Sequence, residues 1–249
     1  GLNEHVIDLK NLPSLTSTLS KIKPDVIYHL AAYGAYPFQA DIGKIIETNI
    51  LGTVNLLKAS SKINYECFIN VGSSSEYGPK NKPISEKDLL EPITPYAITK
   101  SSASLFAQAT AKASQKPIIT ARLFSVYGPF EEPSRLIPYI IKLCLQNKDL
   151  HLTEGSQKRD FIFVDDVVDA LVNLSERPDF KGEIFNICTG RQYSVKDIVT
   201  LCLKLTKSRS KPLFGKLPTR EFEVFNWVAD TEKSGKLLKW QPKYTIEEG

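Results

Sequence analysis

The sequence contains no methionine, only three histidines and four cysteines in 249 residues, and no apolar run near the roughly 18 residues of a membrane span. The cysteines lie far apart, without Cys-x-x-Cys spacing or clustered histidines, so neither a zinc site nor a disulfide framework is expected. A net charge of +4, spread along the chain without a basic, aromatic-rich stretch, gives no reason to expect a nucleic acid partner. We expect a cytoplasmic protein with free, buried thiols.

Apolar runs alternate with helical patterns in the first half of the chain. Residues 5–9, 26–32, 67–71 and 118–123 predict buried strands, and residues 14–23, 41–61 and 95–114 predict helices. This alternation predicts parallel βαβ units, and hence an α/β, doubly wound parallel sheet. Ligands of such sheets bind at the carboxyl ends of the strands. A site is therefore expected just after these apolar runs.

The pattern changes after Tyr127, where prolines, short strands and shorter helices predict a smaller α/β lobe. Asp165 and Asp166 are predicted to cap a helix over residues 167–174, and Ser194 a helix over residues 195–207. We predict that residues 1–126 and 160–189 form the core domain, and residues 127–159 and 190–249 the lobe that binds substrate.

A hydroxyl cluster and a Tyr/Lys pair are the candidate catalytic groups. Gly72 and Ser73 follow the strand over residues 67–71, while Tyr96 and Lys100 lie four residues apart, on one face of the next helix. A tyrosine hydroxyl has a pKa of about 10. To act as a base near neutral pH, its pKa must fall by roughly three units, which corresponds to about 4 kcal/mol of stabilisation of the phenolate. A nearby ammonium and a helix N-terminus can both stabilise a phenolate. The set suits proton transfer to or from an alcohol.

With its surroundings, this set resembles the extended short-chain dehydrogenase/reductase family of nucleotide-sugar epimerases, dehydratases and 4-keto-reductases. The resemblance spans essentially the whole chain. The other segments similar to family motifs are Asp8–Leu9, residues 29–32 (HLAA), residues 47–53 (ETNILGT), residues 122–129 (RLFSVYGP), residues 159–166 (RDFIFVDD), residues 185–190 and Arg220.

The resemblance implies a Rossmann-like fold, NAD or NADP as cofactor, and hydride transfer at C4 of a nucleotide-linked sugar. Tyr96 would be the general acid/base, Lys100 would bind the nicotinamide ribose and lower the pKa of Tyr96, and Ser73 would position the C4 oxygen. The cofactor-binding residues implied are Asp8, Leu9, Leu30, Ala31, Ala32, Asn49, Tyr96, Lys100 and Leu123. The substrate-binding residues implied are Ser74, Ser75, Ser125, Arg159 and Arg220, the two arginines gripping the pyrophosphate. No metal ion is implied, and a homodimer through the helices at residues 41–61 and 95–114 is expected.

Departures from the family pattern bear on the reaction. Sugar 4,6-dehydratases carry an acid two residues after the catalytic hydroxyl, where this chain has Ser75, and often another at the position of Ser74. Glu76 comes one residue later, so at a strand end it would point to the other side. An epimerase or 4-keto-reductase is therefore predicted, with a 4,6-dehydratase or a non-catalytic dinucleotide-binding regulator as alternatives. Ser125 stands where many epimerases have asparagine.

The family's glycine-rich turn, whose amides hold the cofactor pyrophosphate, has no counterpart in this sequence. The first landmark, Asp8, belongs to the third strand of the fold. We therefore expect the N-terminal strands to be missing from the sequence, and roughly fifty or more residues to precede it in the natural protein. The residue that distinguishes the ribose of NAD from that of NADP follows the second strand, which is among the strands expected to be missing. NAD and NADP therefore stay open as alternatives.

Overall fold

The computed structural model describes residues 3–219 and 223–249 and divides the chain into two units. Unit 1 contains the described residues of Gly1–Gly78, with Leu89–Leu123 and Ala170–Phe185. Unit 2 contains Pro79–Asp88 and the described residues of Phe124–Asp169 and Asn186–Gly249. The limits of the core and substrate domains given above stay a prediction.

Helices and short strands alternate along most of the chain. The helices are α1 (Leu12–Ile22), α2 (Ile42–Ile46), α3 (Gly52–Ser60), α4 (Pro95–Ser114), α5 (Leu136–Leu145), α6 (Val164–Ser175) and α7 (Val195–Thr206), with π-helical turns at Glu47–Leu51 and Ser234–Leu238 and 3-10 turns at Ser74–Tyr77 and Pro178–Phe180. The strands are β1 (Val26–His29), β2 (Cys67–Ser73), β3 (Ile118–Leu123), β4 (Ser125–Tyr127), β5 (Leu150–His151), β6 (Lys158–Arg159), β7 (Phe161–Phe163), β8 (Ile184–Ile187), β9 (Tyr193–Ser194) and β10 (Pro212–Leu213). Among the described helices, none has both the length and the apolar content to cross a membrane.

The main sheet has the strand order β1-β2-β3-β8, and β2 pairs in parallel with both β1 and β3. Strand β2 lies between two neighbours and is buried along its length up to Gly72, which explains its nearly continuous apolar sequence. Parallel neighbours joined through helices are the architecture that the sequence predicts. The α/β fold class is confirmed.

Two strand predictions near the N-terminus are wrong. Residues 5–9 are not a strand, because no described strand lies beside them to accept their backbone hydrogen bonds; Ile7 and Leu9 instead pack against the core of unit 1. The strand predicted over residues 26–32 ends at His29, where its pairing with β2 ends. Beyond that point Leu30 is 58% exposed. Apolar sequence alone did not reveal where pairing stops.

Helix α4 begins and ends at the predicted residues. Thr94 accepts a hydrogen bond from the Ala97 amide, and Pro95 occupies the first turn, where no backbone amide is needed. The helix predicted over residues 41–61 is present but contains the π-helical turn Glu47–Leu51 between α2 and α3. Such turns insert one extra residue and often mark functional positions.

The described residues of unit 2 form three two-stranded sheets, β4 with β7, β5 with β10, and β6 with β9. Its core includes Ile140, Leu150 and Ile198, each at most 2% exposed. Ser194 caps α7 as predicted, together with Asp197. The predicted cap of α6 is wrong: the helix begins at Val164, so Asp165 and Asp166 lie inside its first turn. There they still favour the helix, since carboxylates suit its positive end.

Candidate active site

The carboxyl end of β2 in unit 1 carries the predicted hydroxyl cluster. Ser73 is the last residue of β2, and its hydroxyl accepts a hydrogen bond from the Ser75 amide at 3.2 Å and lies 2.8 Å from the Ser75 hydroxyl. Ser74 is buried in the 3-10 turn that follows. Leu123 of β3 lies beside Ser73 in the strand register. Ser73 and Leu123 therefore meet at the sheet edge where ligands of this fold class bind.

Helix α4 presents Tyr96 and Lys100 one turn apart. Tyr96 lies in the first turn and is half-buried, whereas Lys100 is 4% exposed. The Lys100 ammonium donates a hydrogen bond to the Val71 carbonyl of β2 at 2.6 Å. Burial lowers the pKa of Lys100, and the negative charge of Glu76 opposes that change. The catalytic lysine predicted from spacing is thus fixed against the strand that ends in Ser73.

Glu76 is fully buried below the same strand end. One carboxylate oxygen, Oε2, accepts a hydrogen bond from Arg122 Nε at 2.7 Å. The other, Oε1, accepts hydrogen bonds from the Ser73 amide at 2.8 Å and from the Ser104 hydroxyl at 3.0 Å. Both carboxylate oxygens are therefore engaged inside the protein, so Glu76 is not placed to protonate a leaving group.

Asn49, in the π-helical turn, connects two parts of unit 1. Its amide group exchanges two hydrogen bonds of 2.8 Å with the backbone of Tyr33, and it also donates to the Thr99 hydroxyl at 2.9 Å. Thr99 in turn donates to the backbone carbonyl of Tyr96 at 2.9 Å. Asn49 therefore links the loop after β1 to the turn of α4 that carries Tyr96.

His29, the last residue of β1, is buried and neutral. The Thr53 hydroxyl donates to the Asn49 carbonyl at 2.7 Å, so it accepts at 2.8 Å from His29, which places the histidine proton on Nε2. Burial, with the nearby charge of Lys100, lowers the pKa of His29 from 6.5 to about 4. The sequence pattern around residue 29 did not predict this role.

We expect the free energy of unfolding to fall as the solution is acidified from about pH 6.5 towards pH 4, since only the unfolded state protonates His29 in that range. A pKa lowered from 6.5 to about 4 corresponds to a total loss of about 3 kcal/mol. Urea unfolding at about pH 7.5 and about pH 5 should show roughly 2 kcal/mol of that loss. His29→Gln should remove this part of the pH dependence, whereas replacement of the exposed His151 by glutamine should retain it. Equal pH dependence in both variants would contradict the assignment.

The other predicted cofactor residues of unit 1 lie in exposed segments. Asp8 is exposed, and its side chain accepts a hydrogen bond from the Lys10 amide at 2.9 Å. The side chain of Asn55 stabilises this turn by donating a hydrogen bond to the Leu9 carbonyl at 3.0 Å. Leu30, Ala31 and Ala32 are exposed directly after β1, at the same edge of the sheet as Ser73. Asn55 was missed by the sequence reasoning, which had no signal for its long-range hydrogen bond.

Two of the predicted substrate residues lie in unit 2. Ser125 begins β4, where its amide donates to the Asp160 carbonyl at 3.0 Å. Arg159 forms an ion pair with Glu223, donates to the Val224 carbonyl at 2.5 Å, and lies with its guanidinium 5.4 Å from the ring centre of Trp227. The sequence reasoning missed Glu223 and Trp227, which lie more than sixty residues further along the chain. Arg220 lies outside the described residues.

The chain is similar to known proteins in both sequence and fold. The family model "NAD dependent epimerase/dehydratase family" matches residues 2–188. The UDP-glucuronate 4-epimerase of Thermodesulfobacterium geofontis is 29% identical over 98% of this chain and 75% of its own. The solved UDP-glucuronic acid 4-epimerase of Bacillus cereus, in complex with UDP-glucuronic acid and NAD, is 31% identical with a TM-score of 0.86, over 98% of this chain and 77% of its own. MoeE5, solved with UDP-glucuronic acid and NAD, is 31% identical with a TM-score of 0.90, over 100% of this chain and 83% of its own.

The family match covers about three quarters of the chain and includes the strand end, helix and loop that hold Ser73, Tyr96, Lys100 and Asn49. The predicted resemblance to the extended short-chain dehydrogenases/reductases is therefore confirmed. This chain is a member of the NAD dependent epimerase/dehydratase family.

Proposed function

We propose that the protein is a nucleotide-sugar 4-epimerase that uses Tyr96 as general acid/base. The observation that carries the proposal is the position of Lys100, whose buried ammonium is fixed to β2 one helical turn from Tyr96. Tyr96 would remove the proton of the C4 hydroxyl, and Ser73 would hold the C4 oxygen by a hydrogen bond. The positive end of α4 and the Lys100 ammonium both favour the phenolate form of Tyr96. The similar proteins named above make a UDP-linked hexose or hexuronic acid the first substrate to test.

The residues of unit 1 fit the nicotinamide end of the cofactor. Lys100 has three donor hydrogens, and the described residues offer its ammonium one acceptor, Val71, which leaves two donors for ribose hydroxyls. The small side chains of Ala31 and Ala32 leave room beside the strand end. NAD or NADP held there would supply the hydride acceptor and donor for C4. The chain itself supplies orientation and proton transfer.

Dehydration is a weaker alternative because no acid stands in the required place. Ser74 and Ser75 occupy the positions where dehydratases carry acids, and the carboxylate of Glu76 is bound by Arg122, Ser104 and the Ser73 amide. A 4-keto-reductase would need the same three catalytic residues and is distinguished only by its use of external reductant. A regulatory binder would not require the complete set of Ser73, Tyr96 and Lys100.

The test is turnover by the full-length protein of UDP-glucose, UDP-glucuronic acid, dTDP-glucose and 4-keto forms of these nucleotide-sugars, analysed by chromatography and NMR. An epimerase interconverts the C4 epimers without consuming external NAD(P)H. Consumption of one NAD(P)H per 4-keto sugar would indicate a reductase, and a 4-keto-6-deoxy product a dehydratase. Saturable NAD(P) binding without any turnover would favour the regulator. The cytoplasmic location remains a prediction alongside this function.

We further infer a homodimer through the outer faces of α2 and α4. These faces carry exposed apolar side chains in unit 1, namely Ile42 and Ile46 on α2 and Ile98, Leu105 and Phe106 on α4, each 46–56% exposed. Exposed apolar side chains grouped in this way commonly mark a protein interface.

A charge placed in this apolar face should separate the dimer. Leu105→Glu is expected to weaken dimerisation about 100-fold or more, because it would bury an unpaired carboxylate in the interface. Sedimentation velocity over a range of micromolar concentrations measures the change. The matched control is Leu145→Glu on α5, which places the same charge at a similarly exposed leucine of unit 2 and should leave the dimer intact. Equal behaviour of both variants, or a monomeric parent protein, would contradict the inferred interface.

A further inference from the structure

Glu76 is an unusual residue to find beneath the end of a catalytic strand. Its side chain is fully buried, and among the described residues of unit 1 no other carboxylate is buried. Burying a carboxylate is costly unless several donors satisfy it. Here Arg122, Ser104 and the Ser73 amide each donate to it within 3.0 Å.

The backbone of β2 is shaped to admit this carboxylate. A β-carbon at Gly72 would lie 2.6 Å from Glu76 Oε1 and 3.0 Å from Arg122 Cγ, so a side chain at residue 72 would displace the ion pair. Gly72 is the register partner of Arg122 in β3, which brings the guanidinium directly alongside. The glycine before the catalytic serine therefore makes space for the carboxylate.

The same carboxylate connects the strand end to the catalytic helix. Tyr96, Lys100 and Ser104 are spaced by four residues and so share one face of α4. Ser104 donates to Glu76 at 3.0 Å, and Lys100 donates to Val71 at 2.6 Å. Oxygen Oε1 of Glu76 thus binds both the backbone of Ser73 and the helix face that carries Tyr96.

Glu76 also adds a negative charge to the surroundings of Lys100. The titratable and charged groups there are His29 from β1, Glu76 and Tyr77 from the turn after β2, Arg122 from β3, and Tyr96 from α4 itself. His29 is neutral near pH 7 because burial lowers its pKa to about 4. Without Glu76, two buried cations, Lys100 and Arg122, would have no buried carboxylate beside them, and the ammonium would lose its proton more readily.

We propose that Glu76 is a positioning residue of the catalytic site, which fixes Ser73 against α4 and places its negative charge against the helix face that carries Lys100. The part of the proposal that concerns catalysis rests on the proposed epimerase function. The part that concerns the charge of Lys100 can be measured without any turnover.

The experiment compares the full-length protein with Glu76→Gln, Glu76→Asp and a matched control, Glu66→Gln. Glu66 is exposed and precedes the opposite end of β2, so the control makes the same charge change away from the site. Competitive acetylation with acetic anhydride over a pH series, read by peptide mass spectrometry, reports the fraction of neutral Lys100, with the exposed Lys112 of the same helix as internal reference. The pH profiles of kcat and KM are measured in parallel, below the melting temperature of each variant.

We expect Lys100 of Glu76→Gln to become reactive towards acetic anhydride at lower pH than in the parent. The alkaline limb of the pH profile of kcat should move to lower pH as well. Near pH 8.5 this variant should lose about tenfold in kcat, with little change in KM. Glu76→Asp keeps the negative charge, so its labelling curve should resemble that of the parent. Glu66→Gln should match the parent in both the labelling curve and the pH profile of kcat. If Glu76→Gln melts at lower temperature but keeps the parent labelling curve and pH profile, its role is structural only and the proposal is overturned.

A second variant tests the link to α4 in case Glu76→Gln does not fold. Ser104→Ala removes one hydrogen bond to Glu76 and leaves the carboxylate charged, so kcat should fall about fivefold with an unchanged labelling curve. An unchanged kcat would overturn the link. If the parent protein turns over no nucleotide-sugar, the epimerase function fails, and the labelling curves still decide whether Glu76 keeps Lys100 charged.

Discussion

Tyr96→Phe is expected to lower kcat for C4 epimerisation about 1000-fold, because it removes the only atom of residue 96 that can exchange a proton with the sugar hydroxyl. Phenylalanine fills the same space at the start of α4, and Thr94 and Pro95 continue to fix the helix there. The hydrogen bond from Thr99 runs to the backbone of residue 96 and survives the substitution. Binding of NAD(P) and of the nucleotide-sugar should therefore change little, and the loss should appear in kcat rather than KM.

The control for this variant is a second tyrosine of unit 1. Tyr65 precedes the opposite end of β2 and packs against the core, so Tyr65→Phe should retain kcat within about twofold. Single-turnover kinetics, with the formation of reduced cofactor followed by absorbance, separates chemistry from product release. Turnover by Tyr96→Phe equal to that of the parent would remove Tyr96 from the mechanism while leaving the fold and the family unaffected.

The sequence predicted those elements whose ends are determined locally. Helix α4 begins at the predicted residue because Thr94 and Pro95 are sufficient to start a helix, and β2 and β3 are apolar because both lie inside the sheet. The strand expected at residues 5–9 could not be judged locally, since a strand requires a neighbour for its hydrogen bonds. The end of β1 at His29 could not be judged locally either, because it is set by where pairing with β2 stops, although β2 itself continues to Ser73.

The candidate site likewise contains some residues that local sequence predicts and some contacts that it does not. The spacing of Tyr96 and Lys100 placed both on one helical face, which is a local property, and Ser73 followed from the end of an apolar run. The pairing of Glu76 with Arg122 depends on the register between β2 and β3, which aligns Gly72 with Arg122 across 50 residues of chain. Sequence patterns do not encode that register directly. The sequence therefore predicted that Glu76 points to the wrong side for dehydration, but not that it is buried or paired with Arg122.

The ion pair of Arg122 and Glu76 supports the largest predicted effect on stability. Arg122→Met is expected to lower the free energy of unfolding by about 3–5 kcal/mol, because it leaves a buried carboxylate without its cation. Both side chains are almost wholly buried, at 2% and 0% exposed, and their 2.7 Å contact is therefore shielded from solvent and salt. Urea unfolding near pH 7, followed by circular dichroism, measures the loss.

The double variant Glu76→Leu with Arg122→Met separates the cost of an unpaired charge from the value of the pair. Replacing both partners removes the stranded carboxylate, so the double variant should be more stable than Arg122→Met alone. The ion pair of Lys82 and Asp88, with a 2.8 Å contact and a lysine side chain that is 67% exposed, provides the comparison, and Lys82→Met should cost less than about 1 kcal/mol. A double variant that is stable and folded but has lost the alkaline activity of the parent would show that the pair is retained for the charge of Lys100 rather than for stability. A double variant no more stable than Arg122→Met would mean that the cost lies in packing around Gly72 and not in the buried charge.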